Sequence, residues 1–323
     1  MAEEERAKGR SAIETPEDEA EPVAAEGAVV VGVDGSEAAL RAVRWAAERA
    51  AWRSVPLHVV HAYGLVSRYF AMDVPVPPGV IESLLAEARA ILREAVAEAE
   101  ATASGVEVHT QLVNHPAVPA LLRCSQGAEL VVLGASGFGG FAGMLAGSTA
   151  VAVAGHAAAP VVVVRCGEGR SAPPTSGPIV VGVDGSPLSE RAVAGAFEEA
   201  ALRSAPLVVV RAWMDVEDEG VMRRAKLFFT NTPEEDEVRA LLDEQLAGWE
   251  EKYPGVSVER VVVRDRPRRQ LLERSRTAQL VVVGSRGRGG FTGMLLGSTS
   301  QALIHHAGCP VMIVRPRDSD QED

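Results

Sequence analysis

A repeat with a period of 150 residues is the feature of this sequence that most constrains its fold. The heptapeptide Val30–Ser36, which reads Val-Val-Gly-Val-Asp-Gly-Ser, recurs without change at Val180–Ser186. A glycine-rich stretch, Gly134–Ser148, recurs with the same offset as Gly284–Ser298. Solenoid units repeat every roughly 20 to 50 residues, so this much longer period indicates two copies of a whole domain. A chain of 323 residues has room for both.

The repeat and the local composition predict the domain boundaries. We expect one domain at 27–165 and a second at 178–315. The segment 166–177 between them contains two adjacent prolines and three glycines, a composition typical of a linker. Residues 1–26 hold nine acidic and three basic side chains, which predicts a disordered acidic tail, and 316–323 is predicted to be a second, short tail.

Charge and cysteine usage exclude several classes of protein. The net charge is −12, which argues against a broad surface for nucleic acid or anionic membranes, because such surfaces need clustered Lys and Arg. The three cysteines form no CxxC pair, so neither a disulfide framework nor a zinc site is expected, and Cys124 and Cys309 are expected to be core thiols. The longest apolar run, Ala150–Val164, is shorter than the roughly 20 residues of a membrane helix. We therefore expect a cytoplasmic protein, and the Arg-rich, Lys-poor usage suggests a bacterial one.

Short Val-rich runs alternate with Ala-rich stretches of helical period, which is typical of βαβ units on a parallel sheet. The Val runs lack alternation, as expected for strands covered by helices on both faces. The fold class predicted is α/β, with two tandem doubly wound domains, each a five-stranded parallel sheet with four helices. In the first copy the predicted strands are 28–34, 57–62, 106–113, 129–134 and 160–165. The predicted helices there are 36–53, 80–103, 117–126 and 148–158.

The glycine-rich stretch lies where a doubly wound sheet binds its ligands, at the carboxyl ends of the strands. Asp34 ends the first strand and Gly134 ends the fourth, so both motifs fall on one edge. Successive backbone N–H groups in a glycine loop form an anion-binding nest, and a helix N-terminus adds unpaired N–H groups. A tight turn, with Ser148 or Ser298 as a plain N-cap, would be the simpler interpretation. The duplicated pattern favours a phosphate cradle.

The sequence does not match the motifs of two other phosphate-binding loops. A Walker loop needs Lys before Ser or Thr, and Gly143–Thr149 has no lysine. The dinucleotide fingerprint GxGxxG belongs after the first strand, where this chain has Val-Asp-Gly-Ser. The cradle is therefore predicted to be of another kind.

The spacing Gly-x-x-Gly, nine residues, Gly-Ser resembles the ATP-binding signature of the universal stress protein family. It occurs twice, as Gly134, Gly137, Gly147 and Ser148, and as Gly284, Gly287, Gly297 and Ser298. The Val-Gly-Val-Asp-Gly-Ser opening and the closing Pro-Val-x-x-Val-Arg strand belong to the same resemblance, which covers most of the chain. The sequence thus resembles a tandem universal stress protein with the adenine nucleotide alpha hydrolase-like fold.

The resemblance also implies roles for individual residues. Asp34 and Asp184 would lie near the adenosine, although a turn role, bonding the backbone near Ser36, is the alternative for Asp34. Leu133 and Val283 would close the pocket beside the base. Backbone groups of two strand residues would meet the adenine edge: Val59 and Val209. Ribose and phosphates would be held by the signature glycines and serines, with two threonines beside them: Thr149 and Thr299.

The two copies differ in the loop itself. The second copy carries Arg286 and Arg288 where the first has Ser136 and Phe138. Arginines can donate charge-assisted hydrogen bonds to phosphate. We therefore expect both copies to bind ATP and the second to bind it more tightly, with Arg288 among the nucleotide-binding residues.

The resemblance and the motifs together predict an ATP-binding regulatory protein of the stress response. ATP would be bound alone or with Mg²⁺, and hydrolysis would be absent or very slow, because no catalytic residue and no protein metal site can be identified. One alternative is an ATP-cleaving adenylyl-transfer enzyme of the same fold, although the Ser-Gly-Gly-x-Asp-Ser loop of such enzymes is missing. Another is an interaction module with a vestigial pocket. The expected partners are a second copy in a homodimer, or a pseudo-dimer of the two domains, and a regulatory protein.

Overall fold

A computed structural model of the chain describes residues 25–64, 79–137, 146–167, 169–212, 235–287 and 295–316. The chain divides into two compact units. The first unit contains the residues up to Val164 together with those from Arg315 onward, and the second contains Arg165–Val314. The boundaries predicted from the repeat, with a linker at 166–177, stay a prediction. The predicted tails lie almost wholly outside the described residues.

The first unit has five strands and four helices within the described residues. The strands are β1 Val29–Val33, β2 Leu57–Ala62, β3 Val108–Val113, β4 Leu130–Gly134 and β5 Val161–Val164. The helices are α1 Glu37–Arg53, α2 Val80–Thr102, α3 Ala117–Cys124 and α4 Ser148–His156. Each end lies within two residues of the range predicted from the sequence pattern, so the alternation of Val-rich and Ala-rich segments was interpreted correctly.

The second unit repeats this order of elements in its described residues. Its strands are β6 Ile179–Val183, β7 Leu207–Ala212, β8 Val258–Val263, β9 Leu280–Gly284 and β10 Val311–Val314. Its helices are α5 Pro187–Leu202, α6 Glu235–Lys252, α7 Pro267–Arg274 and α8 Ser298–His306. The α/β fold class is therefore confirmed.

Both sheets are parallel and doubly wound. In the first unit the strands follow the order β3-β2-β1-β4-β5, and in the second β8-β7-β6-β9-β10. The direction of winding reverses between β1 and β4, and between β6 and β9. Open sheets of this kind bind ligands at such a reversal, outside the carboxyl ends of the strands.

Helices cover both faces of each sheet, which explains why the central strands β1, β4, β6 and β9 are apolar throughout. In the first unit α1 packs against α2 on one face, and α3 packs against α4 on the other. Gly32 of β1 faces the second layer, since a Cβ placed on it would meet Leu121 of α3. The central Val residues of β1 and β4 are fully buried between these layers.

The repeat extends to polar details of the interior. The buried Ser125 after α3 donates its hydroxyl to the Leu122 carbonyl and accepts the Ala158 N–H, which holds the turn that leads into β5. Ser275 does the same after α7, with Leu272 and Gly308 as its partners. Because these groups are inaccessible to water, the loss of either hydroxyl would leave buried partners unsatisfied.

Candidate functional site

The candidate sites lie at the carboxyl edges of the two sheets, next to the reversals of winding. In the first unit the edge brings together Asp34 after β1, Gly134 at the end of β4 and Gly147 before α4. The second unit brings Asp184 and its glycine counterparts together in the same way. The sequence prediction that these motifs share one edge is confirmed for the described residues.

Each aspartate shapes the turn between the first strand and the first helix. Oδ1 of Asp34 accepts the Ser36 N–H at 3.0 Å, and Oδ1 of Asp184 accepts the Ser186 N–H at 3.0 Å. The glycine between them has a positive φ, 82° at Gly35, which a residue with a side chain rarely adopts. The turn role considered for Asp34 is thus confirmed, and it involves one of the two carboxylate oxygens.

Ser36 and Ser186 then cap the first helices, α1 and α5. The Ser36 hydroxyl accepts the Ala39 N–H at 3.1 Å, and the Ser186 hydroxyl accepts the Ser189 N–H at 3.2 Å. Ser186 also donates its hydroxyl to Asp184 at 2.7 Å. Both caps fix the helix start beside the candidate site.

The other carboxylate oxygen of each aspartate faces the glycine-rich loop. A Cβ placed on Gly137 would lie 2.6 Å from Oδ2 of Asp34, and one on Gly287 would lie 2.6 Å from Oδ2 of Asp184. This approach is too close for any side chain. The second glycine of each signature is therefore required by a contact inside the protein.

The first glycine of each signature lets the first helix approach the sheet. A Cβ on Gly134 would lie 2.7 Å from the Ala38 carbonyl in the first turn of α1. A Cβ on Gly284 would lie 2.9 Å from Cγ of Leu188 in α5. These glycines are also explained by packing.

The third glycine of each signature has no such explanation among the described residues. Gly147 and Gly297 have ordinary negative φ values of −60° and −71°. A Cβ on Gly147 would meet its nearest described neighbours at 3.8 Å, and one on Gly297 at 3.6 Å, which are normal van der Waals distances. Each amide closes its loop by donating to a carbonyl before the loop at 2.7 Å. A Cβ at either position would thus fit in ordinary contact with its described neighbours, so packing among them does not explain the glycine.

The last helix of each unit begins at the serine of the signature. Gly147 and Gly297 are the N-cap residues, and they offer no side-chain cap. The alternative that Ser148 or Ser298 acts as a plain N-cap is therefore wrong, because each is the first helical residue. Both serines are exposed at the helix start. The following residues, Thr149 and Thr299, are half-buried.

The residues expected around the base are placed differently from the sequence prediction. Val59 pairs with Val31 of β1 and Thr110 of β3, and its side chain is fully buried in the middle of the sheet. Its backbone groups belong to the ladder, so they are not available to an adenine edge, and the contact expected from Val59 is corrected. Val209 pairs with Val181 and Arg260 and is corrected for the same reason.

Register shows which part of β2 reaches the edge. Val33 pairs with His61, so Ala62 lies at the level of Asp34. Ala212 is the last residue of the corresponding strand β7. Ala62 and Ala212 are therefore the residues of these strands nearest the candidate site, and the sequence prediction did not include them. Counting from the end of each apolar run, rather than from its middle, would have indicated them.

Leu133 and Val283 are buried next to the final glycine of their strands. A Cβ on Gly32 would lie 2.7 Å from Leu133, and a Cβ on Gly182 would lie 3.2 Å from Val283. Both side chains thus pack over the glycine of the neighbouring strand, on the face covered by α3 or α7. Their predicted position beside a bound base stays a prediction.

Of the two loop arginines, the structure describes Arg286, which is exposed. Arg288, predicted to bind nucleotide, lies outside the described residues. Ser285, beside Arg286, has a fully buried hydroxyl, and the nearby Ser300 hydroxyl donates to the Gly284 carbonyl at 2.7 Å. The first unit has alanine at both of these serine positions.

The thiols and histidines belong to the interior or to other surfaces. Burial raises the pKa of the Cys124 thiol to about 11 and that of Cys309 to about 12, as expected for unreactive core thiols. Burial lowers the pKa of His58 on β2. Among the described residues, no group of three or more His, Cys, Asp or Glu is arranged to hold a metal ion. None of the described helices combines the length and apolar character needed to cross a bilayer.

Comparison with known proteins gives concordant results. The family model described as the universal stress protein family matches residues 27–165 and again 176–315. Universal stress protein Rv2623 of Mycobacterium tuberculosis is 43% identical over 292 residues, which cover 89% of this chain and 96% of the relative. Universal stress protein Rv2005c of the same species is 45% identical over 291 residues, with the same coverage of both chains.

A solved structure supports the fold. The crystal structure of a universal stress protein from Archaeoglobus fulgidus matches with a TM-score of 0.65 at 19% identity. The match covers 89% of this chain and 98% of that one. At this level of identity the similarity concerns the fold alone.

Proposed function

The chain belongs to the universal stress protein family, and from this premise we propose that each unit binds ATP at its carboxyl edge. The observation that carries the proposal is that a Cβ would fit without a clash at Gly147 and Gly297. Neither backbone conformation nor packing among the described residues requires a glycine at these positions. A bound group that needs the space accounts for the missing side chains.

Phosphate is the group that suits this space. The first N–H groups of a helix have no intrahelical acceptor, and the helix dipole makes this end positive. In α4 and α8 no cap side chain competes for these N–H groups. The amides that follow Gly147 and Gly297 are therefore the donors that we assign to the phosphates.

The aspartates suit a different part of the ligand. A carboxylate next to phosphate is unfavourable unless a cation or a hydroxyl lies between them. Asp34 and Asp184 each use one oxygen for the turn, and the second oxygen faces the loop. We assign the two aspartates to the ribose side of the ligand. Mg²⁺, where present, would accompany the phosphates and offset their charge.

The proposed role is regulatory. ATP bound at the two sites would change the surface of the chain. A protein partner or a second copy of the chain would then bind differently to the ATP-bound and ATP-free forms. Hydrolysis of ATP is expected to be absent or very slow, and rapid turnover by the purified chain would contradict this part of the proposal. Light scattering with and without ATP tests the dimer.

Substitution of the open glycines tests binding directly. Because a methyl group fits at both positions, Gly147→Ala and Gly297→Ala should fold normally, and the bulkier Gly147→Val and Gly297→Val should fill the space. Titration calorimetry with Mg-ATP should give two sites per chain, and one site in either valine variant. The matched control is Gly248→Ala on α6, where a Cβ would meet nothing within 4 Å. Two remaining sites in both valine variants would contradict the proposal.

A further inference from the structure

The described parts of the two cradles, 134–137 with Gly147 and 284–287 with Gly297, have matching backbone contacts and differ in charge at one residue, Ser136 against Arg286. The Cα of Arg286 lies 3.6 Å from the point where a Cβ on Gly297 would stand. In the first unit the Cα of Ser136 lies 3.9 Å from the corresponding point beside Gly147. The two side chains therefore start from equivalent places beside the third glycine of each signature. One is a cation and the other is a neutral hydroxyl.

We propose that Arg286 makes the second site select nucleotides by the charge of their phosphates, whereas the first site, with Ser136, discriminates much less. This inference rests on the proposed function. A guanidinium donates two parallel hydrogen bonds to phosphate oxygens, and its attraction grows with the charge of the ligand. A triphosphate therefore gains more from Arg286 than a monophosphate does.

The other charged groups that the structure describes near the strand ends do not produce this difference. Asp34 and Asp184 make the same turn and face the same glycine, so their repulsion of phosphate is matched between the sites. Arg211 on β7 replaces His61, but its guanidinium reaches Gln245 on α6 at 3.4 Å. It is thereby held by a helix that packs beside α5.

The segment after the third strand is also more charged in the second unit, but its carboxylate is already engaged. Asp265 accepts the Arg266 N–H at 2.7 Å and the Gln270 amide at 2.6 Å. This segment follows β8, the edge strand of the sheet, whereas the cradle follows β9. Two strands, β7 and β6, lie between them, a separation of about 14 Å at the usual spacing of strands. Among the described residues, Arg286 is therefore the charge difference nearest to the phosphate cradle; the second loop arginine, Arg288, lies outside them.

Reciprocal exchange of the two residues tests the proposal. Each site is measured alone, the second in the Gly147→Val background and the first in the Gly297→Val background. Dissociation constants for ATP, ADP and AMP then give a preference ratio, AMP over ATP, for each site. We expect this ratio to be about tenfold higher at the second site, the size of one charge-assisted hydrogen bond. Arg286→Ser should lower the ratio of the second site severalfold, and Ser136→Arg should raise the ratio of the first.

Two controls separate charge from shape. Arg286→Lys retains the charge and should keep part of the preference. Raising the salt from 50 to 500 mM should reduce the ratio at the second site more than at the first, because exposed charges are screened. The gain expected from Ser136→Arg cannot arise from misfolding.

The outcomes distinguish this inference from the function on which it rests. If neither site binds any adenine nucleotide, the proposed function fails. If both sites bind but have equal ratios, or if Arg286→Ser leaves the ratio unchanged, the proposed function survives and the selection by Arg286 is refuted.

Discussion

The described backbone around the signature glycines is alike in the two units, although the side chains there differ. The amide that closes the loop donates its hydrogen bond at 2.7 Å in both units. A Cβ placed on the second signature glycine would lie 2.6 Å from the aspartate Oδ2 in both. Around this shared frame Ser136 is replaced by Arg286 and Ala135 by Ser285. The described part of the cradle is thus formed by backbone groups. Neighbouring side chains can therefore differ in charge while the backbone conformation stays the same.

The third helix of each unit, α3 in the first and α7 in the second, also differs in its number of charged side chains. The helix α3, Ala117–Cys124, has one charged residue, whereas α7, Pro267–Arg274, has four. Both bury the residue that faces the glycine of the first strand, Leu121 in one and Leu271 in the other. Only the buried position is fixed by the sheet, because the opposite side of each helix meets solvent.

The largest difference that we predict between the units is at the first signature glycine. Gly134→Ala places a methyl against the backbone of Ala38, which cannot move without shifting α1, and should destabilise the first unit by about 3 kcal/mol. Gly284→Ala meets mainly the side chain of Leu188, which can change rotamer, and should cost about half as much. Hydrogen exchange of the α1 and α5 peptides measures both. Equal losses would contradict the packing described here.

At the second signature glycine we predict equal effects instead. Gly137→Ala and Gly287→Ala should each cost about 2 kcal/mol, because the new methyl displaces the carboxylate that holds the turn. The double variant Asp34→Ala with Gly137→Ala should be clearly less destabilised than the sum of the two single variants. Additive losses in urea unfolding would show that the glycine and the aspartate do not interact.

The helix caps should differ slightly. Ser36→Ala should destabilise α1 by about 1 kcal/mol, the usual value of an N-cap. Ser186→Ala should cost somewhat more, because it also removes the hydroxyl bond to Asp184. Thermal unfolding of each variant, with Ser→Thr as the conservative control, gives the comparison. A smaller loss at Ser186 would be inconsistent with this network.

The smallest predicted effect is a dependence of stability on pH that arises from His58 of the first unit. Burial lowers the pKa of His58, whose neighbours include His109 and Gln111 on β3, whereas the second unit has Val208 there. The Gln111 amide oxygen also accepts a hydrogen bond from the Cys124 thiol of α3. As the pH falls below about 6.5, the unfolded chain takes up the proton first, so the first unit loses stability.

His58→Val, which copies the second unit, should remove this dependence. The measurement is hydrogen exchange of the β2 and β3 peptides at pH 7.0 and 5.5, corrected for intrinsic rates. An unchanged pH dependence in the variant would assign the effect to other groups.

Much of this architecture could be predicted from the sequence. The repeat and the runs of valine predict the number of strands, their parallel direction and the edge that holds the motifs. The different reasons for the three signature glycines could not be predicted, because the sequence gives only the same residue type at Gly134, Gly137 and Gly147. Their difference depends on where each absent Cβ would point. Only Gly147 has room for one among the described residues.

The misplaced Val59 has a related cause. A run of apolar residues shows that a strand exists, but its register decides which residue reaches the edge. Register is set by pairing with the neighbouring strands and by the connections between them. The pairing of Val33 with His61 places Val59 inside the sheet.

The most direct test of the central claim is a crystal structure of the full chain grown with excess Mg-ATP. We predict a nucleotide in each unit, with its phosphates against the amides that follow Gly147 and Gly297 and its ribose toward Asp34 and Asp184. Empty edges in both units, or nucleotide bound elsewhere on the chain, would contradict the account.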